Sequence, residues 1–255
     1  MFLFFRKIRQ GIVEKGQFYK YLKYAIGEII LVVLGILIAL QINTWREVRK
    51  SEFATVEIYE NLLISLRQDS TDIEQIIAHH NNCLDAQQKL LTTTSNEMKT
   101  GLTTKSAFLL LRDIIRGSVS FFPNSGVYNS IISNDEIDLI QNNDLKISLI
   151  KLYDHHYVKY ANIDAVVDQK FQFQIFSVID QKMMSYAIES VEGEERMIKQ
   201  VDLELFLSSY DDLVSEIKDT HRIMYTSRRV LMEIQGSIIE LINQIEDELK
   251  ILKSN

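Results

Sequence analysis

Metal-ligating and nucleophilic side chains are few in this chain. There are five histidines, His79, His80, His155, His156 and His221, and one cysteine, Cys83. On a helix, residues three and four apart share a face. His79 and Cys83 are four apart, and His80 and Cys83 are three apart. Asp154-His155-His156 forms a second small group. If two helices carried these groups side by side, imidazole, thiolate and carboxylate could converge on zinc, with His79, Cys83 and His155 as candidate ligands. Against that reading, no HExxH is present, and adjacent histidines point about 100° apart on a helix. The alternative is histidines that are solvated or spent on a bundle face. Cys83 stands among Asn82, Leu84 and Asp85 with no basic neighbour except the histidines, a poor setting for a nucleophilic thiolate. The nine glycines form no phosphate-cradling loop, and no GxSxG elbow occurs. The 35 acidic residues offer no pair that can be singled out without a pocket. These motifs specify no enzyme and no cofactor, and they identify no small-molecule ligand.

A different chemistry is suggested by Glu28. It lies in YAIGEIILVVLGILIALQINTW, where every residue from Ile29 to Leu40 is apolar or glycine. Tyr24 and Trp45 are 21 residues apart. At about 1.5 Å per residue that is about 31 Å of helix, matching a hydrocarbon core of about 30 Å. Aromatic residues at both ends suit the two interfaces. The span has no small-x-small cleavage pattern after it and a long charged head before it, so it reads as an uncleaved signal anchor. Glu28 sits one turn inside, on the stripe of Gly35 and Ala39, which are 7 and 11 residues on. A carboxylate and two small residues on one face suit helix–helix contact in a membrane. Snorkelling of Glu28 toward Lys20 or Lys23 is the alternative.

Charge places the ends. Residues 1–23 carry six basic residues against Glu14, a balance of +5, which leaves −12 on the remainder of a chain whose net charge is −7. The positive-inside rule puts the amino terminus in the cytoplasm and the rest outside. FLFFRKIR, residues 2–9, could lie in the lipid interface or merely fix topology. A basic head on an acidic body does not fit a nucleic-acid binder. A single cysteine excludes an internal disulfide framework and any cysteine-cluster zinc site.

The body reads as helices. No glycine or proline occurs from Ile36 to Thr100, and the apolar residues there recur at three- and four-residue steps, with Asp69-Ser70-Thr71 as one place for a break. Thr103 or Thr104 should cap a short helix that Gly117 ends, and SVSFFPNSG, with the only proline, should be a loop. Ser133 and Asn143 look like successive amino caps, and the helical pattern continues to about Glu192, with a turn at EGEE. From about Asp211, Ile234, Ile238, Leu241, Ile245 and Leu252 form an a/d-like seam in which Glu248 replaces one member. The expected fold is all-α. A single amino-terminal transmembrane helix continues into an elongated antiparallel helical bundle. The segments are a basic arm at 1–23, the span at 24–45 and an extracytoplasmic bundle at 46–255.

Two stretches resemble a known family. FFRKIRQGIVEKGQFYKYLKYAIGEIILVVLGILIALQINTW is similar to the head of a large bacterial family of uncharacterised single-pass membrane proteins, DUF6090. The matching motifs are Phe4 to Arg9, Tyr24 to Glu28 and Ala39 to Trp45. VYNSIISNDEIDLIQNNDLKISLIKLYD resembles the family's later segment. The resemblance implies an inner-membrane protein of a Gram-negative cell with a periplasmic helical domain, and it makes Glu28 part of a motif. It supplies no activity. The functional expectation is a non-enzymatic interaction, scaffold or sensory module of an envelope complex. Its partners would be the lipid bilayer and a protein partner, or a second copy met through helices. A periplasmic metal-dependent hydrolase and an accessory subunit of a transport or export assembly are the rival readings.

Overall fold

A computed structural model describes residues 18–191 and 194–254. The FLFFRKIR arm and the glycine of the EGEE turn lie outside the described residues. The chain divides into two compact units, Met1–Thr55 and Val56–Asn255.

Helix α1 spans Phe18–Thr92 without interruption, so the break considered at Asp69-Ser70-Thr71 does not occur. In the first unit it carries the apolar run. An 18-residue window there has a mean hydropathy of 2.6 and no side chain buried within the protein. Trp45 carries Arg49 over its ring at 5.6 Å.

In the second unit, α2 (Ser95–Lys99) and α3 (Thr104–Ile115) follow α1. Thr94 and Thr103 each accept from the amide three residues on, and Glu97 and Ser106 return the bond, closing two capping boxes. A short 3-10 turn, Arg116–Ser118, ends this segment at Gly117. Helix α4 (Gly126–Ser133) ends at the serine expected to start a helix. Asp135, in left-handed geometry at φ 56°, instead leads a 3-10 turn at Glu136–Leu139. An Asp side chain tolerates that conformation better than most residues. Asn142, one residue before the expected cap, receives the amide of Leu145 and starts α5 (Asn143–Ile150). A π-helical stretch, Lys151–Tyr157, joins α5 to α6 (Val158–Lys170), and a second, Phe171–Ile175, joins α6 to α7 (Phe176–Lys182).

The expected helix up to Glu192 stops at Lys182. An antiparallel hairpin follows, β1 (Met184–Val191) with β2 (Glu194–Val201), in register from Met184↔Val201 to Val191↔Glu194. Its base is fixed by buried Met183 and Val201 and by the Asp202 amide donating to the Met183 carbonyl at 3.1 Å. Both strands are largely exposed beyond the base, so the alternate apolar residues Tyr186 and Ile188 of β1 face no core. Asp202 then caps α8 (Leu203–Ser208), and α9 (Tyr210–Ser254) closes the chain.

Bonds between helices set the directions in the bundle. Glu60, Arg67, Asn81 and Gln87 of α1 meet Lys253, Glu246, Arg228 and His221 of α9, so partner numbers fall as α1 numbers rise. The α5–α7 run is likewise antiparallel to α9, through Asn142–Glu248, Tyr160–Ser227 and Lys182–Asp212. On α1 the buried positions Tyr59, Leu62, Leu66, Asp69, Ile73, Ile76, His80, Cys83, Gln87 and Leu90 alternate steps of three and four. On α9, Ile217, Thr220, Met224, Ser227, Leu231, Ile234, Ile238, Leu241 and Ile245 do the same. That spacing is the knobs-into-holes seam of near-parallel helices. The core forms two clusters. One runs from Ile58 to Ile76 on α1 with Val230 to Leu249 on α9; the other contains Cys83, Leu90, Ile114, Phe171 and Phe206.

Candidate functional site

The residues with membrane chemistry sit on α1. Glu28, Gly35 and Ala39 are all exposed within the chain, and a Cβ added at Gly35 would meet nothing within 4 Å. The aliphatic side chains around them are bare: Leu31 is 73% exposed and Leu40 59%. Such a surface is expensive in water and natural in lipid. On insertion scales each central Leu, Ile or Val contributes about −0.3 to −0.6 kcal/mol. Ten of them between Ile29 and Leu40 therefore outweigh a Glu28 cost of at most roughly 3 kcal/mol.

The candidate ligands are placed apart in character. His79 is half-buried, Cys83 is fully buried and His155 is exposed. The Cys83 thiol donates to the Ile114 carbonyl at 3.5 Å and packs against Gly117, where a Cβ would come within 2.4 Å of its Sγ. Burial pushes this thiol up to about 12, so it stays protonated and unreactive. The His155 and His156 rings meet edge to face at 5.5 Å. Among the described residues no three His, Cys, Asp or Glu side chains converge as a ligand set.

The polar centre of the bundle is elsewhere, at Asp69. Its side chain is fully buried. Oδ2 accepts from the Tyr157 hydroxyl at 2.7 Å; Oδ1 accepts from the Asn124 amide at 2.9 Å and from its Nδ2 at 2.7 Å. Burial raises the Asp69 pKa from the ordinary carboxylate value, against the lowering effect of these three bonds. The clamp ties the proline loop to α1, and Phe121 of that loop packs on Tyr157 and Tyr160 with centroids 5.6 and 6.2 Å away. Tyr153 stands edge to face on Tyr157 at 5.1 Å and lies flat on Tyr128 at 4.3 Å; Tyr128 donates to Asp154 at 3.0 Å. The Tyr153 hydroxyl is buried without a hydrogen-bond partner among the described residues.

His80 marks the boundary of the two core clusters. It is fully buried, and neither ring nitrogen has a partner among the described residues. Burial, then His79 and Arg228, push it down to about 4, so it is neutral at physiological pH. Spacing alone did not single out Asp69, since an Asp-Ser-Thr triplet reads as a cap. The available signal was its place on the α1 seam, between Leu66 and Ile73.

A family model described as a family of unknown function (DUF6090) matches residues 28–188. The chain belongs to that family. The DUF6090 match begins at Glu28 inside the apolar run and ends in β1, so it takes in the Asp69 clamp, the tyrosine stack and both π-helical stretches. No curated protein and no solved structure matches the chain.

Proposed function

We propose that this chain is a single-pass, membrane-anchored helical module that works by contact, as a scaffold or sensory component of a cell-envelope complex, and not by catalysis. The observation that carries this reading is the first part of α1, long enough to span a bilayer and with no side chain of its apolar window buried in the protein. The second unit supports it, because its helices close two apolar clusters on themselves without needing that segment. In this reading the amino terminus is cytoplasmic, the body is periplasmic and the membrane is the inner membrane of a bacterium. The +5 head supports that direction. The stripe of Glu28, Gly35 and Ala39 is then the contact face of the span. A partner helix there can approach closely at the small residues and hydrogen-bond the carboxylate.

Reporter fusions after Asn255 test the topology. A reporter that works only outside the cytoplasm should be active, and a cytoplasmic one silent. The reverse pattern would overturn the orientation and with it the periplasmic role.

A further inference from the structure

Just past the apolar run, α1 presents three cations on one side. Arg46, Arg49 and Lys50 are all exposed, and among the described residues none has an ion-pair partner. At about 100° per residue they fall within an arc of about 100°. The two acids of this stretch, Glu47 and Glu52, each lie about 60° beyond an edge of that arc. Glu47 also accepts from the Asn43 side-chain amide at 2.9 Å. The next acid in line with the cations is Glu57, 12 residues past Trp45. Depth follows from Trp45. With that ring at the hydrocarbon edge, Arg46, Arg49 and Lys50 stand about 1.5, 6 and 7.5 Å beyond it, within a headgroup layer of about 5–8 Å. Side chains on a helix lean toward its amino terminus, which here is the lipid side. Arg49 does so, with its guanidinium over the Trp45 ring at 5.6 Å.

We propose that Arg46, Arg49 and Lys50 hold the phosphate of an anionic phospholipid in the leaflet at the Trp45 end of the span. The inference rests on the membrane-anchored reading above and names the lipid which that anchor selects. Two features choose this occupant. First, the cations begin one residue after Trp45, at the depth where lipid phosphates lie, and Arg offers a planar fork of donors that matches a phosphate. Second, charge selects an anionic lipid over a zwitterionic one. A zwitterionic headgroup brings its own cation beside the phosphate, whereas an anionic one brings the net negative charge that these three side chains lack within the chain. Basic residues at the outward end also work against the orientation that the +5 head favours, and an anionic headgroup offsets that opposition. Arg46 stands 18 residues, or five turns, past Glu28. A headgroup held there borders the stripe of Glu28, Gly35 and Ala39 without covering it.

Trp45 is the only tryptophan in the chain, so its fluorescence reports this site alone. The full-length chain is reconstituted in vesicles of equal parts phosphatidylcholine and phosphatidylglycerol. In one set the phosphatidylglycerol carries bromine near the headgroup end of its acyl chains, and in the other the phosphatidylcholine does. Bromine quenches tryptophan on contact, so the two sets compare which lipid sits beside Trp45. The brominated anionic lipid should show about a fivefold preference, which corresponds to about 1 kcal/mol for a single cation–headgroup contact. Replacing the patch, by Arg46→Gln, Arg49→Gln and Lys50→Gln together, should bring the preference close to one, whereas Arg46→Lys with Arg49→Lys should keep most of it. Removing three exposed cations of the body, by Lys105→Gln, Lys159→Gln and Lys218→Gln, should leave it unchanged. Equal quenching by the two lipids in the wild type overturns the proposal, and so does an equal loss of preference in the patch and body variants. Failure of the anchoring would show separately, as quenching by neither lipid and release of the wild-type chain from the vesicles by alkaline carbonate.

Discussion

Replacing His80 with leucine should flatten the acid side of the stability profile. In the folded chain His80 is held down at about 4, against an ordinary value of 6.5. Burial is the first cause, and the neighbouring His79 and Arg228, both on the side of positive charge, add to it. A histidine with a depressed folded pKa favours the fold in its neutral form. That contribution is complete above pH 6.5 and is lost as the pH falls from 6.5 toward 4, because the unfolded chain then binds a proton that the folded chain refuses. The full loss is about 3.4 kcal/mol at about 1.36 kcal/mol per pH unit, and about 2 kcal/mol of it is gone by about pH 5. Asp69, whose pKa is raised, acts in the opposite direction: its burden on the fold is relieved as acid protonates it. Asp69 is present in both proteins, so the difference between wild type and His80→Leu isolates the histidine. The assay is urea unfolding of the detergent-solubilised full chain, followed by circular dichroism between neutral pH and about pH 5. The wild type should lose about 2 kcal/mol more than the variant across that range. Parallel profiles would show that His80 is not held neutral by burial and has a polar partner in solution.

Asp69→Ala strands the Tyr157 hydroxyl and the Asn124 amide in the interior, and should cost about 3 kcal/mol in the same denaturation assay. Protease cleavage of the 119–125 loop should quicken in that variant. Gly117→Ala puts a Cβ within 2.4 Å of Cys83 Sγ and 2.8 Å of its Cβ, and should cost about 1–3 kcal/mol. Adding Cys83→Ala should recover part of that loss, and a recovery of zero would show that the clash lies elsewhere. Glu28→Gln and Gly35→Leu should leave membrane insertion intact and weaken association of the chain in mild detergent, each by about 1 kcal/mol, as read by crosslinking. Unchanged association in both variants would mean that the stripe faces lipid.

The parts of the fold set by period were legible in the sequence. The α9 seam at Ile234, Ile238, Leu241 and Ile245 is buried as expected, with Leu249 filling the place that Glu248 leaves. Glu248 turns instead to the Asn142 side chain at 2.6 Å. The apolar run of α1 and the cap at Thr103 followed equally from local chemistry. The hairpin was not legible, because the alternation of Met184, Tyr186 and Ile188 is brief, Tyr186 and Ile188 bury against no core, and Met184–Val191 follows a helical pattern. The Asp69 clamp was hidden for a different reason. Its partners lie 55 and 88 residues away, and the value of a buried carboxylate depends on donors that only the tertiary fold delivers.

The proposed anchoring requires the first part of α1 to be dissolved in lipid. Membranes from cells making the full chain, washed with alkaline carbonate and sedimented, test this directly. The chain should stay with the sedimented bilayer, and residues 46–255 made alone should appear in the supernatant. Full-length chain recovered in the supernatant would contradict the anchoring.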